Sequence, residues 1–193
     1  VREAVLRKAR ESADVKLRFA EENAEAIERC VRALAARFVA GGRLFVMGNG
    51  GSACDAAHVA VEFVHPVLER RRALPALALS ADTATLTAVG NDDDFAHVFE
   101  QQIDLLGAGA DAALGISTSG ASANVNRGLS CARRKGMLTI GFAGRDGGRM
   151  VDVGEHVFVV RSWSTHRVQE VHTLLLHLLW DLVHVALGEE DVL

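Results

Sequence analysis

Residues 43–52, Arg43-Leu44-Phe45-Val46-Met47-Gly48-Asn49-Gly50-Gly51-Ser52, decide the fold. The apolar run reads as a short strand buried on both faces, and the glycines that follow read as a tight strand-to-helix turn. Ser52 is the expected N-cap of the next helix, which runs to about residue 64.

Toward the C-terminus the alternation repeats. Apolar runs at 75–79, 111–116, 137–142 and 155–160 read as strands. Residues 82–100, 122–135 and 165–187 read as helices, the first interrupted at Asn91-Asp92-Asp93-Asp94. Strands that alternate with helices pair in parallel and are covered on both faces. The predicted fold is therefore α/β, a three-layer sandwich with a five-stranded parallel sheet flanked by helices. Toward the N-terminus, Leu6, Leu17, Ile27, Val31, Leu34 and Phe38 recur at helical spacing through residues 1–40, with a break expected near Asn23 and a stop at Gly41-Gly42. This segment is an N-terminal helical extension. Residues 165–187 are apolar nearly all round the helix, so they must be enclosed, and in so short a chain the expected enclosure is another subunit.

The composition bounds the function. A chain of 193 residues with 49% apolar content fits one domain with a sizeable core. Its net charge of −4 provides no overall positive field for nucleic acid or an anionic membrane, so no partner of either kind is expected and an anionic ligand must be caught locally. Cys30, Cys54 and Cys131 have neither C-x-x-C spacing nor an even count, and are expected to be reduced core residues. No apolar run approaches a membrane span, and a soluble cytoplasmic protein is the default reading.

Two strand-to-helix turns carry the binding chemistry. The segment Ser117-Thr118-Ser119-Gly120-Ala121-Ser122 puts four hydroxyls and free helix N–H groups where a phosphate would be held, although serine at a plain N-cap gives the same residues a structural reading. The turn at residues 48–52 lacks the spacing of a dinucleotide site and suits a sugar-sized ligand, or simply a tight turn. His58 and Glu62 stand one helical turn apart among apolar neighbours, a pair able to ligate a metal together. Gln169 and His177 lie eight residues apart, about 12 Å in a regular helix, too far for one ion. Either Gln169 sits in an irregular first turn or the site is a composite at a subunit interface, and the second is favoured. His172, three residues after Gln169, is a candidate supporting contact.

Four stretches, GNGGSACDAAHVAVEF at 48–63, AVGNDDDF at 88–95, LGISTSGASANV at 114–125 and RVQEVHTLLLH at 167–177, together resemble the phosphoheptose isomerase family of the sugar isomerase (SIS) fold, over nearly the whole chain. The resemblance implies a single SIS, Rossmann-like domain over residues 1–193, with 1–40 as a helical oligomerisation segment. It implies interconversion of sedoheptulose 7-phosphate and D-glycero-D-manno-heptose 7-phosphate, feeding nucleotide-activated heptose synthesis. It further implies a homotetramer with active sites at subunit interfaces and one Zn2+ per site. Carried over position by position, His58, Glu62, Gln169 and His177 match the family's metal ligands, and Glu62 and His177 also its base and acid. Asn49, Gly50, Gly51, Ser52, Asn91, Asp92, Ser117, Thr118, Ser119 and Ser122 match its substrate contacts, together with Glu62 and Gln169. His166 stands where some relatives have aspartate, and Ala53 and Ala121 replace larger polar residues.

Aldose–ketose isomerisation moves a proton between adjacent carbons through an enediol. One group must remove it and another must exchange a proton with the carbonyl oxygen. Glu62 and His177 are residues of those two types. The competing reading is a non-catalytic SIS protein that binds a phosphosugar as a regulator or scaffold. Relatives of that kind keep the serine loop and tend to lose the acid/base pair, which this chain retains.

Overall fold

The computed structural model describes residues 1–67 and 71–191. Its helices are α1 (Arg2–Val39), α2 (Gly51–Val64), α3 (Thr83–Asp92), α4 (Glu100–Leu106), α5 (Ala123–Arg134), α6 (Met150–Val153) and α7 (Thr165–Ala186). The strands are β1 (Leu44–Gly48), β2 (Ala76–Ala78), β3 (Ala112–Ser117), β4 (Leu138–Gly144) and β5 (His156–Val160), paired in parallel in the order β2-β1-β3-β4-β5. The expected three-layer sandwich is present.

Residue alternation along the strands divides the core in two. Leu44, Val46, Leu114, Ile116, Ile140 and Phe142 point to one face, where α1, α2 and α7 bury Leu34, Val59, Phe63, Leu175 and Leu179 against them. Phe45, Met47, Ala113 and Ala143 point to the other, against Val98, Phe99, Ile103, Val125 and Leu129. Fully burying side chains of this size stabilises by about 1.5–3 kcal/mol each. Burial on both faces is why the strands read as unbroken apolar runs.

The order of the strands reverses between β1 and β3. From β1 the chain crosses to β2 on one side, and the later strands build out on the other, so the loops after β1 and β3 leave a crevice at their carboxyl ends. Gly48 pairs with Ile116, which starts the glycine turn and the serine loop side by side.

Four expectations are corrected. Helix α1 runs unbroken, because the Asn23 side chain donates back to the Phe19 carbonyl instead of ending the helix. The N-cap of α2 is Gly50 with φ 55°, which only glycine adopts easily, and Ser52 lies inside the first turn, buried. Helix α7 is enclosed chiefly by its own chain: the sheet, α1 and α2 bury Val168, Val171, Leu175, Leu176, Leu179 and Val183. A helix about 57 Å long is ample cover. Exposed large apolar side chains lie elsewhere, among them Val5, Leu6 and Leu17 on α1 and Val61 and Val64 on α2. Cys30 and Cys131 are buried as expected, whereas Cys54 is exposed. No described helix is long and apolar enough to cross a membrane.

The far end of α7 is fastened by a buried ion pair. The Arg71 guanidinium bonds to the Asp181 carboxylate and backbone carbonyl and lies 4.8 Å from the Trp180 ring centroid. The Asp181→Ala variant strands that guanidinium without its counter-charge and should lose about 3–5 kcal/mol. Urea unfolding of the two proteins measures the difference, and a loss under about 1 kcal/mol would mean solvent reaches Arg71.

Candidate functional site

The serine loop leaves β3 at Ser117 and enters α5 at Ala123. Ser122 occupies the N-cap, but its hydroxyl makes no capping bond. It turns to Ser117 Oγ at 2.9 Å, which stands 3.4 Å from Ser119 Oγ. Hydroxyls that bond to one another can be re-aimed at an incoming anion, and the start of α5 adds the positive end of its dipole. Thr118 and Ser119 are partly exposed at the mouth of this loop. Gly120 has φ 64°, and a Cβ there would lie 1.9 Å from the Gly147 carbonyl oxygen. The serine loop and the loop after β4 cross there, at a point where no side chain fits.

A pair of amides fastens the glycine turn to the serine loop. Asn49 Nδ2 donates to Asn124 Oδ1, and Asn124 Nδ2 donates to Asn49 Oδ1, both at 2.8 Å. Asn49 is thereby committed within the chain, and Asn124, almost fully buried, is a site residue that sequence reasoning missed. Asn91 and Asp92 do not join this centre. They end α3 exposed and hydrogen-bonded to each other.

Helices α2 and α7 run side by side in the same direction, Gly51 beside Gln169 and His58 beside His177. Along α2, Gly51, Asp55, His58 and Glu62 share one face, and along α7, His166, Gln169, Thr173 and His177 share another, all at helical spacing. His58 Nε2 lies 3.2 Å from Glu62 Oε1 and 3.4 Å from His177 Nε2, with the two rings edge to face. One ligand atom from each of the three falls within 4.8 Å of the others. Bonds of about 2.0–2.1 Å to a tetrahedral ion set neighbouring ligand atoms about 3.3 Å apart. Two observed separations match that edge, and two imidazoles with a carboxylate are a donor set suited to zinc.

Gln169 stands apart from the three. It lies in a regular turn of α7, which removes the irregular-turn reading, and its amide fills the space a Gly51 side chain would occupy. Three of the four expected ligands therefore meet within one chain, and the fourth reaches the glycine turn instead. His166 is exposed at the start of the same α7 face.

Asp55, also missed, is half-buried between Gly51 and His58, with Oδ2 buried and unpartnered. Burial raises its carboxyl above the usual carboxylate range, against the opposing pull of His58. Its spacing on the α2 face was the signal available in the sequence. His172 does not contact Gln169. It turns into the core, where Nε2 lies 3.2 Å from the Ala143 carbonyl oxygen. Burial lowers its pKa to about 4, against the bond to Ala143, so the ring is neutral near pH 7.

Two outcomes follow from this packing. An alanine methyl at position 51 would stand 2.2 Å from Gln169 Nε2, and that amide is the flexible end of a side chain. Gly51→Ala should therefore keep its melting temperature, since alanine favours a helix, while a crystal structure shows the amide turned away. A large loss of Tm would mean that the helices separate instead. For His172 the folded pKa lies below the unfolded one, so the unfolded chain takes the proton first as pH falls. Relative to His172→Gln, the parent chain should lose up to about 3 kcal/mol of stability between pH 6.5 and 4 and nothing above that window, as denaturant titrations at several pH values would record.

Comparison with known proteins places these features in a family. The SIS domain family matches residues 9–144. The phosphoheptose isomerase of Aquifex aeolicus is 45% identical over 182 residues, covering 94% of this chain and 95% of that protein. That of Desulfovibrio desulfuricans is 46% identical over 181 residues, covering 94% and 86%. Among solved structures, phosphoheptose isomerases from Neisseria gonorrhoeae (36% identity, TM-score 0.88, 94% of this chain and 97% of that one) and Francisella tularensis (31%, 0.90, 95% and 97%) share the whole architecture. With the serine loop, the glycine turn and the His58–Glu62–His177 cluster in place on that architecture, the chain belongs to the phosphoheptose isomerase family of the SIS fold.

Proposed function

We propose that this enzyme interconverts sedoheptulose 7-phosphate and D-glycero-D-manno-heptose 7-phosphate in the cytoplasm, as a homotetramer with sites at subunit interfaces, feeding nucleotide-activated heptose synthesis. The convergence of His58, Glu62 and His177 carries the reading, because it sets a carboxylate and an imidazole side by side where α2, which starts at the glycine turn beside the hydroxyl-lined serine loop, meets α7. The substrate phosphate sits at Ser117, Thr118, Ser119 and Ser122, and the sugar hydroxyls meet the exposed turn at Gly50 and Gly51 together with Gln169, while Asn49, clamped to Asn124, and the buried Ser52 shape that turn from behind. Gly51 and His58 are seven residues apart on α2, about 10 Å, a span suited to an extended phosphosugar with its carbonyl end at the cluster.

Glu62 removes the proton from the carbon next to the carbonyl, and the pair of electrons left behind forms the enediol double bond. His177 exchanges a proton with the carbonyl oxygen, and the proton carried by Glu62 returns to the neighbouring carbon. One C–H bond breaks and one forms, while the old carbonyl oxygen gains the proton that His177 donates and the neighbouring hydroxyl, which becomes the new carbonyl, returns one to His177, with no net oxidation. A Zn2+ held by His58, Glu62 and His177, with Gln169 as a further ligand, would supply electrophilic stabilisation of the enediolate oxygens. The lone pairs that ligate an ion are those that move protons, so Glu62 and His177 serve one task at a time.

Gln169 is too far along α7 to join the other three within one chain, which supports an interface site. Asn91 and Asp92, standing in solvent on α3, are assigned to the same shared site. The exposed Val5, Leu6 and Leu17 support residues 1–40 as the oligomerisation segment.

Glu62→Gln decides the chemistry. Incubated with sedoheptulose 7-phosphate, it should fall at least about a hundredfold in turnover, while its oligomeric size and its affinity for inorganic phosphate stay as in the parent. Undiminished turnover would remove Glu62 from the mechanism. Metal analysis of the purified chain tests the zinc assignment, with about one ion per subunit expected.

A further inference from the structure

Between Gln169 and His177, helix α7 sends one histidine the other way. His172 is fully buried, its ring 5.7 Å from that of Phe142, with Nε2 3.2 Å from the Ala143 carbonyl oxygen. Nδ1 is buried with no partner. The ring is neutral, so Nε2 carries the proton and donates it, and the Nδ1 lone pair goes unanswered. An acceptor left so costs stability, and a leucine of similar volume would leave none. Packing alone does not explain a histidine here.

Its bond reaches a crowded place. Ala143 precedes Gly144, where a Cβ would stand 2.5 Å from the Thr118 carbonyl oxygen and 2.7 Å from both Val168 methyls. The end of β4, the serine loop and the first turn of α7 thus touch directly. Apolar contact is non-directional and lets a helix rotate about its axis, whereas a hydrogen bond weakens steeply with angle. One helical turn beyond Val168, the bond from His172 is where rotation of α7 is resisted.

We propose that His172 is a positioning residue whose Nε2–H bond to the Ala143 carbonyl sets the rotation of α7 against the serine loop, and so aims Gln169 and His177 into the site. For its catalytic consequence this rests on the isomerase reading above; for metal affinity it stands alone. His172→Leu removes the bond and the orphan acceptor together. His172→Gln restores an N–H donor where Nε2 stood.

The experiment compares both variants with the parent in Tm, in kcat and KM for sedoheptulose 7-phosphate, and in Zn2+ affinity by calorimetry. His172→Leu should match or exceed the parent in Tm, yet lose about tenfold or more in kcat and about tenfold in Zn2+ affinity. His172→Gln should recover both to within about threefold, because a comparable donor is present. Parent-like Zn2+ affinity in His172→Leu would overturn the proposal. So would equal losses in both variants that follow their losses in Tm. A parent chain without turnover would remove the isomerase reading, and the Zn2+ affinities would still decide whether His172 positions α7.

Discussion

The reversal of strand order between β1 and β3 is the constraint on which the rest depends. A parallel sheet puts every strand-to-helix turn at one edge, but only where the order reverses do two neighbouring turns diverge and leave room between them. Here those turns are the glycine turn and the serine loop, begun in register at Gly48 and Ile116. The Asn49–Asn124 amide pair holds them at a fixed separation. Helices α2 and α7 then share one face of the sheet, so that Glu62 and His58 meet His177.

The cluster is balanced between two uses. Two imidazole nitrogens and a carboxylate oxygen near tetrahedral spacing suit a metal ion, and the same atoms suit proton transfer. Half-buried Asp55, with its raised pKa, adds a further carboxyl close to His58 whose charge is disfavoured. Such groups are costly to a fold, and their grouping at the edge of α2 and α7 is where a site spends stability on chemistry.

Much of this was legible in the sequence because strands and helices leave periodic marks. The unbroken apolar runs of β1, β3 and β4 identify strands covered on both faces, and the glycines and serines at their ends identify the turns. What periodicity cannot show is which helix covers which. The apolar circumference of α7 pointed to a second subunit, while α1, long and unbroken, supplies most of the cover. Asn124 looks like any polar residue in a first helical turn, and only the register of β1 with β3 makes it the partner of Asn49. His172 lies three residues from Gln169 yet points into the sheet, because it stands about 100° round the helix from the middle of the face that Gln169, Thr173 and His177 share.

The reciprocal amides have a chemical consequence of another kind. Asn49 is followed by Gly50, a dipeptide prone to deamidation because glycine leaves its own nitrogen free to close a succinimide ring on the asparagine carbonyl. Ring closure requires the carboxamide to swing back over that nitrogen, and both ends of the Asn49 carboxamide are held by Asn124. The clamp that spaces the two loops therefore also slows their ageing. Once it fails, the aspartate formed has lost the donor that the clamp needs, and a new negative charge stands beside the anion site, so the damage cannot reverse itself.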